Sequence, residues 1–140
     1  MIGILNGAFM FTSDLVKNIQ HPDIYIDFMK VSSYGDEKES NREPRIIDDT
    51  KEPIQNTDVI VVEDIVDTGY SMAALLEMLY ARKPNSIKVC SLLSKPSRRE
   101  VDVPIDYLGF EVPDLFVLGY GLDDGGKHRN GRDIIYKVSN

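Results

Sequence analysis

The chain has 140 residues and a formal net charge of −7, with 42% hydrophobic and 28% charged residues. This length suits one domain with its own core, and the negative charge argues against a protein whose main partner is nucleic acid. No apolar run approaches the ~20 residues of a membrane span, and the single Cys90 leaves no internal disulfide, so we expect a cytoplasmic protein without a membrane partner.

The first third of the chain predicts two strands separated by a helix. Residues 2–5 are strand-like, and apolar residues recurring every four positions predict a helix over about 9–20. Alternating apolar and polar residues predict a second strand over about 24–31. Residues 33–53 are polar and charged with little periodicity, which predicts a solvated surface loop.

The central stretch joins a buried strand to a cluster of carboxylates. A β-branched run predicts a strand over about 58–63 that is buried on both faces. The strand ends in Glu63 and Asp64, and Asp67 follows three residues later. Helical spacing then begins, which predicts a helix over about 71–82. A strand, a short polar turn and a helix form half of a βαβ unit, and ligands of parallel sheets bind at this end of the strands.

The residue types in this turn suit a phosphorylated sugar. Carboxylates accept hydrogen bonds from ribose hydroxyls. The hydroxyls of Thr68 and Ser71, the Gly69 amide and the amino end of the helix suit a phosphate group. The alternative interpretations are a receiver-type acidic strand end and helix capping by Thr68 or Ser71, but capping alone does not require three carboxylates within five positions.

The rest of the chain continues the alternation of strands and helices, which predicts an α/β sheet with right-handed crossovers. Further strands are predicted over about 87–93, 107–110, 116–118 and 134–136. Lys95 lies just past the first of these strands, on the side where ligands bind. Its spacing alone favours an ordinary surface lysine.

The acidic motif resembles the phosphoribosyl diphosphate (PRPP) binding motif of type I phosphoribosyltransferases, and specifically that of hypoxanthine-guanine phosphoribosyltransferases. The motif reads Val62-Glu63-Asp64-Ile65-Val66-Asp67-Thr68-Gly69. Residues 5–15 resemble the first loop and helix of that family, and residues 113–123 resemble its hood. The resemblance implies an α/β fold with a central, mostly parallel sheet flanked by helices and a small hood. It also implies a single domain over 1–140, with a lid loop at about 33–53 and the hood at about 95–140.

The resemblance also implies roles for individual residues. Asp67 is implied as the catalytic group, acting on the purine N7 proton. The PRPP ribose and phosphate are implied to contact Glu63, Asp64, Asp67, Thr68, Gly69, Tyr70 and Ser71. Pyrophosphate is implied to contact Asn6, Gly7 and Arg129, and the purine is implied to contact Lys95, Phe116, Val117 and Asp123. Magnesium is implied at Asp123, Glu63 and Asp64, and the lid is implied to include Ser33 and Tyr34. Asn6 stands where many members carry Lys or Arg, and Asp124 replaces a usual Tyr.

The implied reaction is transfer of the phosphoribosyl group of PRPP to hypoxanthine, and to guanine, with Mg²⁺ as cofactor. The product would be IMP or GMP, with release of pyrophosphate. One alternative is a non-catalytic regulator that senses PRPP or nucleotide; the implied base and pyrophosphate contacts argue against it. A second is an enzyme for orotate or adenine, which Lys95 and the hood motif disfavour. A dinucleotide-binding domain is weaker still, because no G-x-G-x-x-G follows a strand.

Relatives usually carry roughly forty further residues before the first loop, including a helix and a strand. Because this sequence starts inside the first predicted strand, we expect apolar surface near residues 2–5 to remain uncovered within one chain. An obligate oligomer, either a homodimer or a homotetramer, is therefore expected.

Overall fold

A computed structural model of the chain describes residues 1–32 and 44–138. Six strands form one sheet in the order β3-β2-β1-β4-β5-β6, and two form a separate antiparallel ribbon, β7-β8. The strands are β1 (Ile2–Leu5), β2 (Asp27–Val31), β3 (Ile46–Asp48), β4 (Asp58–Val66), β5 (Ser86–Ser94), β6 (Tyr107–Glu111), β7 (Val117–Leu118) and β8 (Ile135–Tyr136). The helices are α1 (Phe9–Lys17) and α2 (Tyr70–Tyr80), followed by a 3₁₀ turn at Pro96–Arg98.

The large sheet is parallel except at one edge. β1 pairs in parallel with β2 and β4, β4 with β5, and β5 with β6, whereas β3 runs antiparallel to β2. The parallel strands therefore present their carboxyl ends at the same edge of the sheet. This confirms the predicted α/β fold with a central, mostly parallel sheet.

The two helices cover opposite faces of the sheet. The buried side of α2, made of Met72, Leu75, Leu76 and Leu79, packs on a core that includes Ile2 and Val61. These α2 residues follow the helical spacing that the sequence predicts. On the other face, α1 approaches so closely that a Cβ at Gly3 would crowd the Thr12 hydroxyl and the Phe28 ring.

Three element boundaries differ by three residues from the sequence prediction, and the others differ by less. β4 continues beyond residue 63 to Val66, because it keeps pairing with β5 as far as Val66 and Ser94. β2 begins at Asp27 rather than near residue 24. α1 ends at Lys17 rather than near residue 20, and there the Asn18 side chain donates to the carbonyl of Asp14. The ends of β4 and α1 depend on hydrogen bonds that the periodicity of the sequence does not predict.

The predicted lid contains an unpredicted strand. β3 lies inside the 33–53 segment and pairs with β2, and the Arg45 amide donates to the Ser32 hydroxyl beside it. Three residues are too few for a periodic signal, so the pairing with β2 defines this strand. Ser33 and Tyr34, the predicted lid residues, lie outside the described residues.

The predicted hood divides between two structures. β6 pairs with β5 and forms an edge of the large sheet, so this part of the 95–140 segment is not separate from the main sheet. The ribbon β7-β8 follows it, and the predicted purine-binding residues are Phe116, just before β7, and Val117, its first residue.

The expectation of an uncovered first strand is wrong. β1 lies between β2 and β4, and Ile2 and Ile4 are only 3% and 7% exposed within one chain. The first strand therefore gives no reason for oligomerisation. Large exposed apolar side chains occur elsewhere, for example Phe110 on β6 and Tyr136 on β8. Among the described residues, no helix has the length and apolar character needed to cross a bilayer.

Leu79→Ala is expected to lower the free energy of unfolding by about 2–5 kcal/mol, because the Leu79 side chain is fully buried and its removal leaves a cavity. The matched variant is Leu108→Ala on β6, where the leucine is 41% exposed and the loss should stay under about 1 kcal/mol. Urea denaturation of both variants measures the difference. Equal losses would contradict the placement of α2 on the core.

Candidate active site

An open cleft of about 610 Å³ lies at the carboxyl ends of the parallel strands. It brings together residues that are far apart in sequence, from the first loop, β4, α2, the end of β5 and the hood. The predicted site residues that line it are Asn6, Gly7, Glu63, Asp64, Asp67, Ser71, Lys95, Phe116, Val117, Asp123 and Arg129. Of the described predicted residues, Thr68, Gly69 and Tyr70 do not line the cleft.

Two adjacent carboxylates project from the end of β4. Glu63 accepts a hydrogen bond from the Asp64 amide at 3.0 Å, and Asp64 Oδ1 accepts one from the Ile65 amide at 2.7 Å. Burial, followed by the neighbouring Asp64 charge, raises the pKa of Glu63 well above its usual range. This site therefore favours ligands that supply positive charge or hydroxyl donors to the pair.

The first loop lies against these carboxylates. The Leu5–Asn6 peptide is cis, and a Cβ at Gly7 would overlap the carboxylate of Asp64. A Cβ at Gly121 would in turn overlap the carbonyl of Gly7. Glycine at both positions lets the first loop, the end of β4 and the hood converge on one side of the cleft.

The turn before α2 is shaped by Gly69. Its φ of +96° lies in the left-handed region, and a Cβ there would overlap the carbonyl of Val101. Gly69 is the N-cap of α2, and no side chain caps this helix end. The capping interpretation of Thr68 and Ser71 is therefore wrong. The first-turn amides of α2 have no acceptor within the helix, which leaves them available to an anion.

The segment after β5 fixes the backbone of this turn. The Lys95 amide donates to the carbonyl of Val66 at 3.0 Å, and Arg99 Nε donates to the carbonyl of Asp67 at 3.0 Å. The amides of Glu100 and Val101 both donate to the carbonyl of Thr68, at 2.9 and 3.0 Å. Sequence reasoning missed Arg99, because a side chain that binds a backbone carbonyl leaves no pattern in the sequence.

Lys95 is buried beside Asp67. It is 7% exposed, and its Nζ lies 4.0 Å from Asp67 Oδ2. A lysine is rarely buried without a partner. The interpretation of Lys95 as an ordinary surface residue is therefore wrong, and its ammonium group is directed into the cleft.

The hood supplies an aromatic ring and an ion pair. Phe116 is half exposed and lines the cleft, and Lys137 Nζ lies over its ring, 5.8 Å from the centroid. Arg129 Nη2 lies 3.0 Å from Asp123 Oδ1, and its Nη1 donates to the carbonyl of Gly121 at 2.7 Å. Asp123 Oδ2 accepts from the Gly126 amide. Asp123 and Arg129 are thus oriented together.

The cleft also contains residues that sequence reasoning did not single out. Lys30 and Ser32 at the end of β2 and Ile47 of β3 line it. Lys30 follows Met29 in an alternating strand, so its position at the strand end was visible in the sequence, although its direction toward the cleft was not.

The cleft can accommodate a magnesium ion that arrives with a phosphorylated ligand. Its lining includes the carboxylates Glu63, Asp64, Asp67 and Asp123, against the cations Lys30, Lys95 and Arg129. Within the described residues, no three His, Cys, Asp or Glu side chains form a ready-made metal cage. Mg²⁺ commonly binds through one or two carboxylates together with substrate phosphates. The carboxylates present fit this mode of binding.

A hydrogen bond ties the hood to α1. The Tyr120 hydroxyl donates to Asp14 Oδ2, and Tyr120 itself has a φ of +53° between two glycines with positive φ. Partial burial, followed by the hydrogen bond to Asp14, raises the pKa of Tyr120 to about 12. This contact anchors the turn that leads to Asp123.

The chain matches a family model described as "Phosphoribosyl transferase domain" over residues 1–125. It is 47% identical to a hypoxanthine phosphoribosyltransferase of Haemophilus influenzae, over 93% of this chain and 72% of the relative. It is also 47% identical to a hypoxanthine-guanine phosphoribosyltransferase of Bacillus subtilis, over 92% and 71%. A crystal structure of a Staphylococcus aureus hypoxanthine phosphoribosyltransferase superposes with a TM-score of 0.88 at 46% identity, covering 95% of this chain and 72% of that one.

Tyr120 is expected to ionise about two pH units above a free tyrosine, and the Tyr120→Phe variant is expected to lack this ionisation. The pKa of Tyr120 is raised from 10.0 to about 12, so its hydrogen bond stabilises the fold fully below about pH 10. That stabilisation is lost as the pH rises through about 12. The difference between the ultraviolet pH titrations of wild type and Tyr120→Phe isolates this group. A midpoint near 10 in the difference curve would contradict the contact.

Proposed function

The chain belongs to the phosphoribosyltransferase family, as a relative of its hypoxanthine and hypoxanthine-guanine enzymes, and we propose how its cleft carries out their reaction. It is a purine-salvage enzyme that transfers the 5-phosphoribosyl group of PRPP to hypoxanthine. The purine N9 forms a bond to ribose C1 while the bond from C1 to pyrophosphate breaks. We extend the substrates to guanine, because its 6-oxo group offers the same acceptor.

PRPP binds across the end of β4 and the turn before α2. Glu63 and Asp64 accept hydrogen bonds from the ribose hydroxyls, beside the positive charge that develops on the ring. The 5-phosphate lies at the uncapped amino end of α2, where the amides of residues 68–71 and the Ser71 hydroxyl donate to it. Gly69 keeps this turn open to an anion because it carries no side chain.

The purine lies between Phe116 and Lys95. The half-exposed Phe116 ring stacks on the base, the Val117 backbone recognises its edge, and the Lys95 ammonium donates to O6. Adenine carries an amino group at this position and cannot accept from Lys95. The burial of Lys95 supports this role, because a buried ammonium requires an acceptor.

Asp67 takes the proton from purine N7 as N9 attacks. It follows the proposed sugar-binding carboxylates in the chain and lies within 4.0 Å of Lys95, which supports a position on the purine side of the ribose. The groups next to the Asp67 carboxylate are the cations Lys95 and Arg98, so an N–H group of the purine would find an acceptor oxygen here.

Pyrophosphate binds between the first loop and the hood. The backbone of Asn6 and Gly7 lies beside Asp64, and Arg129 supplies a guanidinium that matches phosphate geometry. Mg²⁺ would be held by substrate oxygens with Asp123 and the Glu63–Asp64 pair, and when bound it neutralises charge on the leaving group. A cytoplasmic location and a homodimeric or homotetrameric state stay predictions.

The observation that carries this proposal is the convergence of Asp67, Lys95 and Phe116 on one cleft from three separate parts of the chain. Incubation with isotope-labelled PRPP, Mg²⁺ and one of hypoxanthine, guanine, xanthine or adenine tests it. IMP and GMP are expected as products, with little or no AMP. Formation of AMP in preference to IMP would overturn the assignment of the base site.

Asp67→Asn is expected to lower turnover by roughly 10²–10⁴-fold while changing PRPP affinity much less, because an amide keeps the shape and cannot take a proton. Steady-state kinetics with separate measurement of PRPP binding checks this. Asp49→Asn is the matched control, since Asp49 pairs with Arg82 outside the cleft. Wild-type turnover in Asp67→Asn would refute the role.

Lys95→Ala is expected to raise the Michaelis constants for hypoxanthine and guanine and to relax discrimination against adenine. A charge-assisted donor is worth about 1.5–3 kcal/mol, which corresponds to roughly a ten- to hundred-fold change. Lys88→Ala on β5, the strand that ends just before Lys95, is the control, because Lys88 is exposed and pairs with Asp106. Unchanged base preference in Lys95→Ala would return this residue to a structural role.

A further inference from the structure

Arg98 lies beside the proposed general base and bridges two parts of the site. It ends the 3₁₀ turn after β5, and its Nε lies 2.9 Å from Asp67 Oδ1. Its Nη1 lies 3.5 Å from Asp114 Oδ1. One guanidinium therefore contacts two carboxylates that stand 47 positions apart in the sequence.

The two carboxylates belong to different functional segments. Asp67 lies on the turn between β4 and α2, which is the proposed phosphate-binding turn. Asp114 lies between β6 and β7, two residues before Phe116, whose ring is the proposed stacking surface for the purine. A planar fork on Arg98 can engage both at once, whereas a lysine offers a single point charge.

The contact with Asp67 is an ion pair at one carboxylate oxygen, Oδ1. Asp67 Oδ1 is shielded from solvent and has no hydrogen-bond partner among the described residues, although Arg98 Nε lies only 2.9 Å away. The guanidinium N–H is thus not aligned with this oxygen. Arg98 and Lys95 therefore place positive charge against both oxygens of the carboxylate, with Lys95 Nζ 4.0 Å from Oδ2.

We propose that Arg98 is a positioning residue that holds the Asp67 carboxylate toward the purine and couples it to the turn carrying Phe116. This inference rests on the proposed role of Asp67. Arg98 would act through the geometry of proton transfer, because a base displaced by about 1 Å from its proton loses a large part of its contribution to the rate. Arg98 does not touch the substrate in this arrangement.

Arg98→Gln is expected to lower kcat by roughly ten- to a hundred-fold, which is less than the loss in Asp67→Asn, because misplacement of a base costs less than its removal. The Michaelis constant for PRPP should stay within about two-fold of wild type, since the phosphate-binding backbone is held by other contacts. Arg98→Lys should recover part of kcat by restoring the charge beside Asp67. The control is Arg82→Gln, which breaks a comparable arginine–aspartate pair outside the cleft.

Double variants test the two contacts separately. Asp67→Asn/Arg98→Gln should turn over no more slowly than Asp67→Asn, and Arg98→Gln/Asp114→Asn no more slowly than Arg98→Gln, because each pair acts as a unit. Multiplicative losses would overturn the proposal. A higher PRPP Michaelis constant with unchanged kcat in Arg98→Gln would overturn it as well. If Asp67→Asn keeps full turnover, the proposed role of Asp67 as base is wrong. If Asp67→Asn loses turnover but Arg98→Gln has the same kcat as Arg82→Gln, the role of Asp67 stands and the role of Arg98 is wrong.

Discussion

The site depends on hydrogen bonds that hold the carbonyl groups of three consecutive residues, Val66, Asp67 and Thr68. Backbone amides and the Arg99 side chain from residues 95–101 bind all three. Because the carbonyl groups of this turn accept hydrogen bonds from within the chain, the amide groups at the start of α2 remain available to a ligand. The close approach of Gly69 to Val101 follows from the same contact and requires glycine there. These contacts hold the proposed phosphate-binding turn in the absence of a ligand, which lowers the entropy lost on binding.

The same segment, residues 95–101, links the proposed sugar end of the cleft to the proposed purine end. Lys95, Arg98 and Arg99 follow one another closely, yet each makes a different kind of contact. Lys95 faces the cleft, Arg98 pairs with side chains, and Arg99 binds the backbone. β5 brings all three to the edge of β4, because the two strands pair in register up to Val66 and Ser94. A shift of that register by one residue would turn the side chains of β5 to the opposite face and move the turn that carries these three residues.

The sequence predicts the main elements and most of the cleft, because their signals are local. Period-2 and period-3.6 patterns locate the strands and helices, and the carboxylates at the end of a buried strand locate the ligand site. The missed features are non-local. β3 depends on pairing with β2, the extension of β4 depends on β5, and the coverage of β1 depends on strand order. Arg98 and Arg99 contact residues about thirty positions away, a relation that spacing along the chain does not encode.

β6 has a consequence for how copies of this protein behave at high concentration. All five of its residues are exposed, including Phe110, and it is an edge strand of the described sheet. An open, apolar edge is a template for pairing with a strand from another molecule. Electrostatic repulsion between chains of net charge −7 opposes such pairing, and salt weakens that repulsion. Any edge-to-edge association of this chain is therefore expected to strengthen as the ionic strength rises.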